Sequence, residues 1–267
     1  MARRVSRFFD NCATCASRAA LQHGGLDLSV VIPVCNEADN VEPLSAELRR
    51  CLAGLDYELV FVDDGSSDGT AAKLARLRDA MARLRVVRHA ANAGQSAALL
   101  SGVRAARAEW VATLDGDGQN DPADLRKLWQ LARSATAPAG LYIGHRTTRH
   151  DSRVRIVSSR IANAVRSRLL RDRVPDTGCG VKLFRREVFL SLPYFDHMHR
   201  FMPALVRREG LEVISVPVRH RRRRAGASKY GVSNRLWVGI VDLIGVMWLL
   251  RRRHRPGPIE EAGEHGA

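Results

Sequence analysis

Two aspartates stand two residues apart in the stretch WVATLDGDGQNDPADL, from Trp110 to Leu125, where an apolar run ends in acid, glycine, acid, glycine and glutamine. Carboxylates that close repel each other unless something cationic lies between them. Asp115 and Asp117 are therefore candidate ligands for a divalent cation, and hard oxygen donors suit Mg2+ or Mn2+. Such a cation could bridge a diphosphate and stabilise charge on a leaving group. Gly116 and Gly118 carry no side chains and let the backbone turn tightly against a ligand. Asp-Gly pairs after strands are also common turns, so this pair gains weight only from its company. That company is Asn36-Glu37, Asp63-Asp64 and Asn92-Ala93-Gly94.

The elements between these clusters say how they could meet. LDLSVVIPV reads as a buried strand, and VEPLSAELRRCLAGL follows with helical spacing. YELVFVDDGSSDGT is a second strand running into a turn, with a helix behind it. RVVRH, EWVATLDGDG and AGLYIGHR are further strands, separated by the helices GQSAALLSGVRAARA and DPADLRKLWQLARS. Strands alternating with helices at this spacing predict an α/β fold with a doubly wound, mostly parallel sheet. Ligands of such sheets bind outside the carboxyl ends of the strands, which is where all four polar clusters fall. They should converge on one site. After about residue 145 the alternation stops. SRVRIVSSRIANAVRSRLLRD has the pattern of a basic amphipathic helix, PDTGCGVKLFRREVFLSL reads as turn, short strand and short helix, and HRFMPALVRREGLEVISVPV as helix and strand.

Composition narrows the partners. The chain has 267 residues, 45% of them hydrophobic, and a formal net charge of +15. From Arg200 to Arg255 there are 14 Lys/Arg against three acids, a net of +11. The basic character belongs to one region and points to an anionic partner there: nucleic acid, a membrane surface or a phosphorylated substrate. No aromatics interleave with these charges as in a nucleic-acid module, so no nucleic-acid partner is expected. Five cysteines at irregular spacing, Cys12 and Cys15 among them, make no disulfide framework and no zinc set. No Gly-x-Gly-x-x-Gly follows the first strand and there is no Walker loop, which argues against a dehydrogenase or an NTPase.

VVIPVCNEADNV, FVDDGSSDGT, NAGQSAALLSG and TLDGDGQNDP, in this order along residues 28–125, resemble glycosyltransferase family 2 with its GT-A fold. DTGCGVKLFRREV and HRRRRAGASKYG resemble the subgroup of polyprenol-phosphate sugar transferases, dolichol and undecaprenyl types included. The resemblance covers roughly residues 28–235 and divides the chain into an extension (1–26), a GT-A domain (27–235), an apolar interfacial helix with a basic end (236–255) and a disordered tail (256–267). It implies that Pro33, Asn36 and Glu37 line the base and ribose, and that Asp64, with Asp63, recognises the base. Gly94 and Gln95 lie along the nucleotide, although the family more often has a basic residue at 95. Asp115, Asp117 and Gln119 hold metal and diphosphate, and Arg146 reaches a phosphate. Arg223, Ser228 and Lys229 match an Arg-x-x-Gly-x-Ser-Lys pattern near the acceptor phosphate, with His220 three residues ahead. The catalytic set would be Asp115, Asp117, Asp176, Arg223 and Lys229.

The implied reaction is transfer of a sugar, with inversion, from a UDP- or GDP-linked donor to a polyprenyl phosphate. That acceptor is already an anion near neutral pH, its second pKa being about 6, so no strong base is needed. A saccharide hydroxyl acceptor would need one, and Asp176 in PDTGCG stands in the plausible place. Asp176 thus separates the two readings. LWVGIVDLIGVMWLL is 15 residues with Asp242 inside, short of the roughly 20 needed to span. Trp237, Trp248 and Arg251–Arg253 suit a helix lying in the interface. The expected location is the cytoplasmic face of the inner membrane, peripheral or monotopic, with a homo-oligomer left open.

Overall fold

The computed structural model describes residues 25–147, 166–221 and 232–252. The strands are β1 (Leu28–Val34), β2 (Tyr57–Asp64), β3 (Leu84–His89), β4 (Trp110–Thr113), β5 (Leu141–Arg146), β6 (Lys182–Arg185) and β7 (Val213–Val218). The helices are α1 (Ala38–Cys51), α2 (Thr70–Ala80), α3 (Gln95–Ala105), α4 (Ala123–Ser134), α5 (Arg186–Ser191), α6 (Met202–Arg208) and α7 (Val232–Arg251). A 3-10 turn, Met198–Arg200, precedes α6. Residues 166–170 are helical and the helix stops before Arg171, which turns left-handed at φ 54°, two residues short of the expected end; residues 152–165 of the expected basic helix, the 1–24 stretch and the tail beyond 252 lie outside the described residues.

The seven strands form one sheet in the order β3-β2-β1-β4-β6-β5-β7. β1 pairs in parallel with both β2 and β4, and β2 with β3. β6 is antiparallel to both its neighbours, β4 and β5, and β7 returns to pair in parallel with β5. The strand path reverses between β1 and β4, so the crevice of an open α/β sheet opens beyond their carboxyl ends.

Both sheet faces are covered, which is why the middles of the central strands, Val30–Ile32 and Leu59–Val62, are apolar on both sides of the pleat. Leu28, Val30 and Ile32 of β1 with Tyr57, Leu59 and Phe61 of β2 pack under α1, α2 and α4. Val31, Val60 and Val62, one residue out of phase, pack under α3, α5 and α6. That period of two is the pleat itself. α7 rests on the second face through Val246, which is buried, and through Leu243, Met247 and Leu250.

Candidate active site

The end of β1 is tied to the turn after β2. Asn36 adopts a left-handed conformation, φ 53°, which Asn tolerates better than most residues. Its Oδ1 accepts from the Ser67 amide at 2.7 Å, and its own amide donates to Ser66 Oγ at 2.9 Å. The Glu37 amide donates to Thr70 Oγ1 at 2.9 Å, and Asn40 Nδ2 donates to Glu37 Oε2 at 2.6 Å. Pro33 pairs with Val62 inside the sheet. Asn36 and Glu37 therefore stand at the crevice with part of their capacity spent on the local turn.

At the end of β2 both aspartates are buried. Asp63 Oδ1 accepts from the Ser66 amide at 3.0 Å, and Arg88 Nε lies 3.4 Å from its Oδ2. Asp64 gathers the next turn: the Ala93 and Gly94 amides donate to its two oxygens at 2.9 Å each, and His89 Nδ1 lies 2.8 Å from Oδ1. Neither caps α2. Gly69 stands at its N-terminal cap without a side-chain cap bond, and Asp68 braces the turn before it, accepting from the Thr70 amide at 2.9 Å. The carboxylates expected to read a base thus also shape the turns around the crevice.

β4 stops at Thr113, so Asp115 and Asp117 ride on the loop beyond it. Gln95, the first residue of α3, donates its amide to Asp115 Oδ1 at 2.9 Å, and Asn120 Nδ2 lies 3.5 Å from Oδ2. Burial, then the neighbouring Asp117 charge, pushes the Asp115 carboxyl up; Lys182 and Arg146 oppose the shift. Asp117 Oδ1 accepts from the Gln119 amide at 3.1 Å. At Gly116 a Cβ would stand 2.4 Å from a Val34 methyl, so only glycine lets the loop pass this close to β1. The donor set fits a hard divalent cation: two carboxylates that repel each other, plus an amide oxygen from Gln119. Among the described residues no cluster of three or more His, Cys, Asp or Glu could hold a metal. A cation here would complete its shell with water or substrate oxygens, as Mg2+ usually does.

Arg146, the last residue of β5, forks onto Asp176: Nε donates to Oδ2 at 2.7 Å and Nη2 to Oδ1 at 2.9 Å. The Arg146 amide adds a bond to Oδ2 at 3.3 Å. Burial works against the charged guanidinium, but the Asp176 hydrogen bonds and charge prevail and raise its pKa. Asp176 is 3% exposed. Such a bidentate, charge-assisted pair holds both partners in one geometry.

Several residues at the site escape sequence reasoning. Lys182 on β6 is 4% exposed, and its ammonium donates to the Cys179 carbonyl. Burial lowers its pKa, with Cys179, Asp115 and Asp176 acting in the other direction. A single lysine inside the apolar run CGVKLF is the one signal that could have found it. His199, without a nameable partner in the sequence, lies 2.8 Å from Ser96 Oγ through Nδ1. Burial, then Lys182 and Arg200, drives its pKa well below 6.5. Cys179 is a packing residue, fully buried, its thiol pushed up to about 11 by burial.

Arg223, Ser228 and Lys229 lie outside the described residues. His220 is described, bridging Asn120 in antiparallel fashion. Of the basic run that starts at Arg221, that residue alone is described. It holds Glu47 at 2.7 Å and Asp121 at 2.8 Å, and its amide donates to the Gln119 carbonyl at 2.8 Å. Arg221 thus fastens the strand leading to the basic loop onto the loop that carries Asp117.

Residues 29–192 match the family described as glycosyl transferase family 2. The chain is 35% identical over 239 residues to a dodecaprenyl-phosphate galacturonate synthase of Rhizobium johnstonii, covering 87% of this chain and 70% of that protein. It is 34% identical over 211 residues to an undecaprenyl-phosphate 4-deoxy-4-formamido-L-arabinose transferase of Edwardsiella ictaluri, covering 77% of this chain and 63% of that one. The chain therefore spans about two thirds of these relatives' length. Among solved structures it superposes on glucosyl-3-phosphoglycerate synthase of Mycobacterium tuberculosis, in complex with Mn2+, UDP and glucosyl-3-phosphoglycerate, with a TM-score of 0.61. Sequence identity there is 18%, over 86% of this chain and 81% of that one, a likeness of fold.

Proposed function

The chain belongs to glycosyltransferase family 2, and we propose that it transfers a sugar, with inversion, from a nucleoside-diphosphate sugar to a polyprenyl phosphate at a membrane surface. The observation that carries the choice of acceptor is the Arg146–Asp176 fork. A hydroxyl acceptor needs a base with a lone pair in reach of its proton. Asp176 is 3% exposed and forked onto the Arg146 guanidinium through both oxygens, so an acceptor hydroxyl would have to compete with a fixed charged partner for it. A lipid phosphate needs no such base, because its oxygen arrives as an anion.

Pro33, Asn36 and Glu37 at β1 and Asp63 and Asp64 at β2 would receive the nucleoside, with Gly94 and Gln95 along its diphosphate. A Mg2+ or Mn2+ ion held by Asp115, Asp117 and Gln119 would neutralise charge on the departing nucleoside diphosphate. The acceptor oxygen bonds to the anomeric carbon from the face opposite the donor diphosphate, and the bond from that carbon to the diphosphate oxygen breaks. No proton need move. Buried Lys182 and half-buried Arg146 supply fixed positive charge beside Asp115, a form of electrostatic preorganisation. Arg223, Ser228 and Lys229 would hold the acceptor phosphate.

α7 supplies the surface contact. Ile240, Ile244 and Trp248 recur every four residues and are 40%, 62% and 59% exposed, with Val241 beside them. The Arg252 guanidinium lies 5.7 Å from the Trp248 ring centroid. No described helix is long and apolar enough to cross a membrane, so α7 would lie in the interface, apolar stripe inward and basic end toward anionic headgroups. The cytoplasmic leaflet, where nucleotide sugars and anionic lipids meet, is the proposed location.

The test is transfer of label from a panel of nucleotide sugars, a uronic acid donor among them, into undecaprenyl phosphate by the purified chain with Mn2+. The expected result is organic-extractable, metal-dependent label that is lost in Asp117→Ala. Metal-dependent nucleotide release with a saccharide acceptor, and none with the lipid, would overturn the acceptor assignment in favour of hydroxyl transfer.

A further inference from the structure

Asp115 is held from three sides by residues outside the expected ligand set. Gln95 fixes Oδ1 at 2.9 Å, Asn120 approaches Oδ2 at 3.5 Å, and the backbone of Gly180 forms the third wall. A Cβ on Gly180 would stand 2.3 Å from Asp115 Cγ and Oδ2 and 2.6 Å from Oδ1. No flexible chain end could yield there, because Asp115 has only two torsions and Gln95 engages its carboxylate. The wall is itself anchored: Thr113 Oγ1 donates to the Gly180 carbonyl at 2.7 Å, two residues before Asp115 on the same strand end.

The other side of the cradle traces back to β2. Asp64 holds the Ala93 and Gly94 amides, and these set where α3 begins. Gln95 is the first residue of that helix. A chain of bonds therefore runs from the strand-end carboxylate of β2, through the start of α3, to the strand-end carboxylate of β4. Gln95 donates without carrying charge, so it orients Asp115 and leaves its negative charge available.

We infer that Gln95 and Gly180 are positioning residues that orient the Asp115 carboxylate toward a divalent cation shared with Asp117. This rests on the cation reading above. Residues that orient metal ligands typically matter about 10–100-fold in affinity or activity.

The experiment is Mn2+ titration of the full chain, followed by loss of the free-ion electron paramagnetic resonance signal, for the natural sequence, Gln95→Leu and Gly180→Ala. Melting temperature is measured alongside. The expected result is Mn2+ binding by the natural chain and about tenfold or weaker binding in both variants. In transfer assays, excess Mn2+ should restore the kcat of Gln95→Leu, which a fold defect would not allow. If Gly180→Ala does not fold, Gln95→Leu decides alone, because its side chain is only half-buried. Folded variants that bind Mn2+ as tightly as the natural chain overturn the inference and leave the cation reading standing. A natural chain that binds no Mn2+ overturns both.

Discussion

The two halves of the sheet handle charge in opposite ways. In β1, β2 and β4, the strand-end residues Asn36, Asp63, Asp64 and Asp117 accept from backbone amides of the neighbouring turns. Acceptors organise the crevice rim there. In the half built from β5 to β7, buried or half-buried cations meet fixed partners: Arg146 on Asp176, Arg166 on Asp172, Lys182 on a carbonyl. The antiparallel β6, slotted between β4 and β5, carries that positive charge to Asp115. The parallel half would hold a nucleotide and a cation, and the inserted half would answer the charge of phosphates. Each half can be broken separately.

The sharpest break falls on the parallel half. Asp115→Asn keeps the shape and can still accept from Gln95, but it removes one of the two repelling charges. Transfer rates should fall about 10²–10³-fold, the usual scale for losing a preorganised electrostatic group, with the melting temperature maintained. Initial-rate measurement at saturating donor checks it. A fall of less than tenfold would mean that the parallel half is scaffold alone.

The matching break in the inserted half should show in stability. Arg146→Ala leaves Asp176 buried without its fork, which should cost about 3–5 kcal/mol, read from urea unfolding midpoints. The double variant Arg146→Ala/Asp176→Ala should recover part of the loss, because no unpaired buried charge remains. If the single variant unfolds like the natural chain, the fork is not a structural pair and Asp176 returns as a candidate base.

How far each half was legible follows from how its contacts are made. The four clusters from Asn36 to Asp117 follow strands whose partners come in regular βα succession, so period and turn residues place them in one crevice. β6 is different. Lys182 reaches Asp115 only because a strand more than sixty residues later inserts beside β4, and no local pattern encodes that pairing. Gly180 and Gln95 matter through a single close approach, which spacing does not show. His199 could not be paired with Ser96, 103 positions away. Asp68 was hidden by its neighbours: three aspartates lie within six residues, and nothing local says which of them bonds the first amide of α2.

α7 extends the comparison to the surface, since its exposed stripe joins neither half of the crevice. Ile244→Glu with Trp248→Ala should weaken binding to vesicles containing an anionic lipid by about 2–3 kcal/mol, the scale of burying such side chains. Co-sedimentation measures it. Release of nucleotide from the donor in detergent should be unaffected. Vesicle binding that is unchanged would mean that the stripe meets something other than lipid.

A smaller effect lies in pH. His199, in the 3-10 turn, is buried against Ser96 of α3 and titrates well below 6.5 in the folded chain, burial being the first cause. The unfolded chain binds that proton near the ordinary value, so the stabilisation is fully present above about pH 6.5 and is lost as pH falls toward the folded pKa. The slope cannot exceed about 1.4 kcal/mol per pH unit for one proton. The natural chain should therefore lose more stability between pH 7.5 and 5.5 than His199→Gln does. Equal losses in both would assign the acid sensitivity to other groups.

The smallest effect is expected where α7 meets the inserted half. His197 adopts a left-handed conformation, φ 63°, and its Nδ1 lies 3.0 Å from Asp242 Oδ2. Asp242 is the acid that interrupts the apolar run of α7, and this pair gives it a reason to be there. Pairs this exposed contribute less than about 1 kcal/mol, so His197→Ala should barely move the unfolding midpoint. Its consequence is rotational. Val246 and Leu243 already bind α7 to the core, so the pair is expected to matter only for which residues of the helix face outward. In His197→Ala, vesicle binding should weaken only a few-fold, far less than in the Ile244/Trp248 variant. A loss as large as in that variant would mean that the pair, rather than the apolar contacts, holds α7 in place.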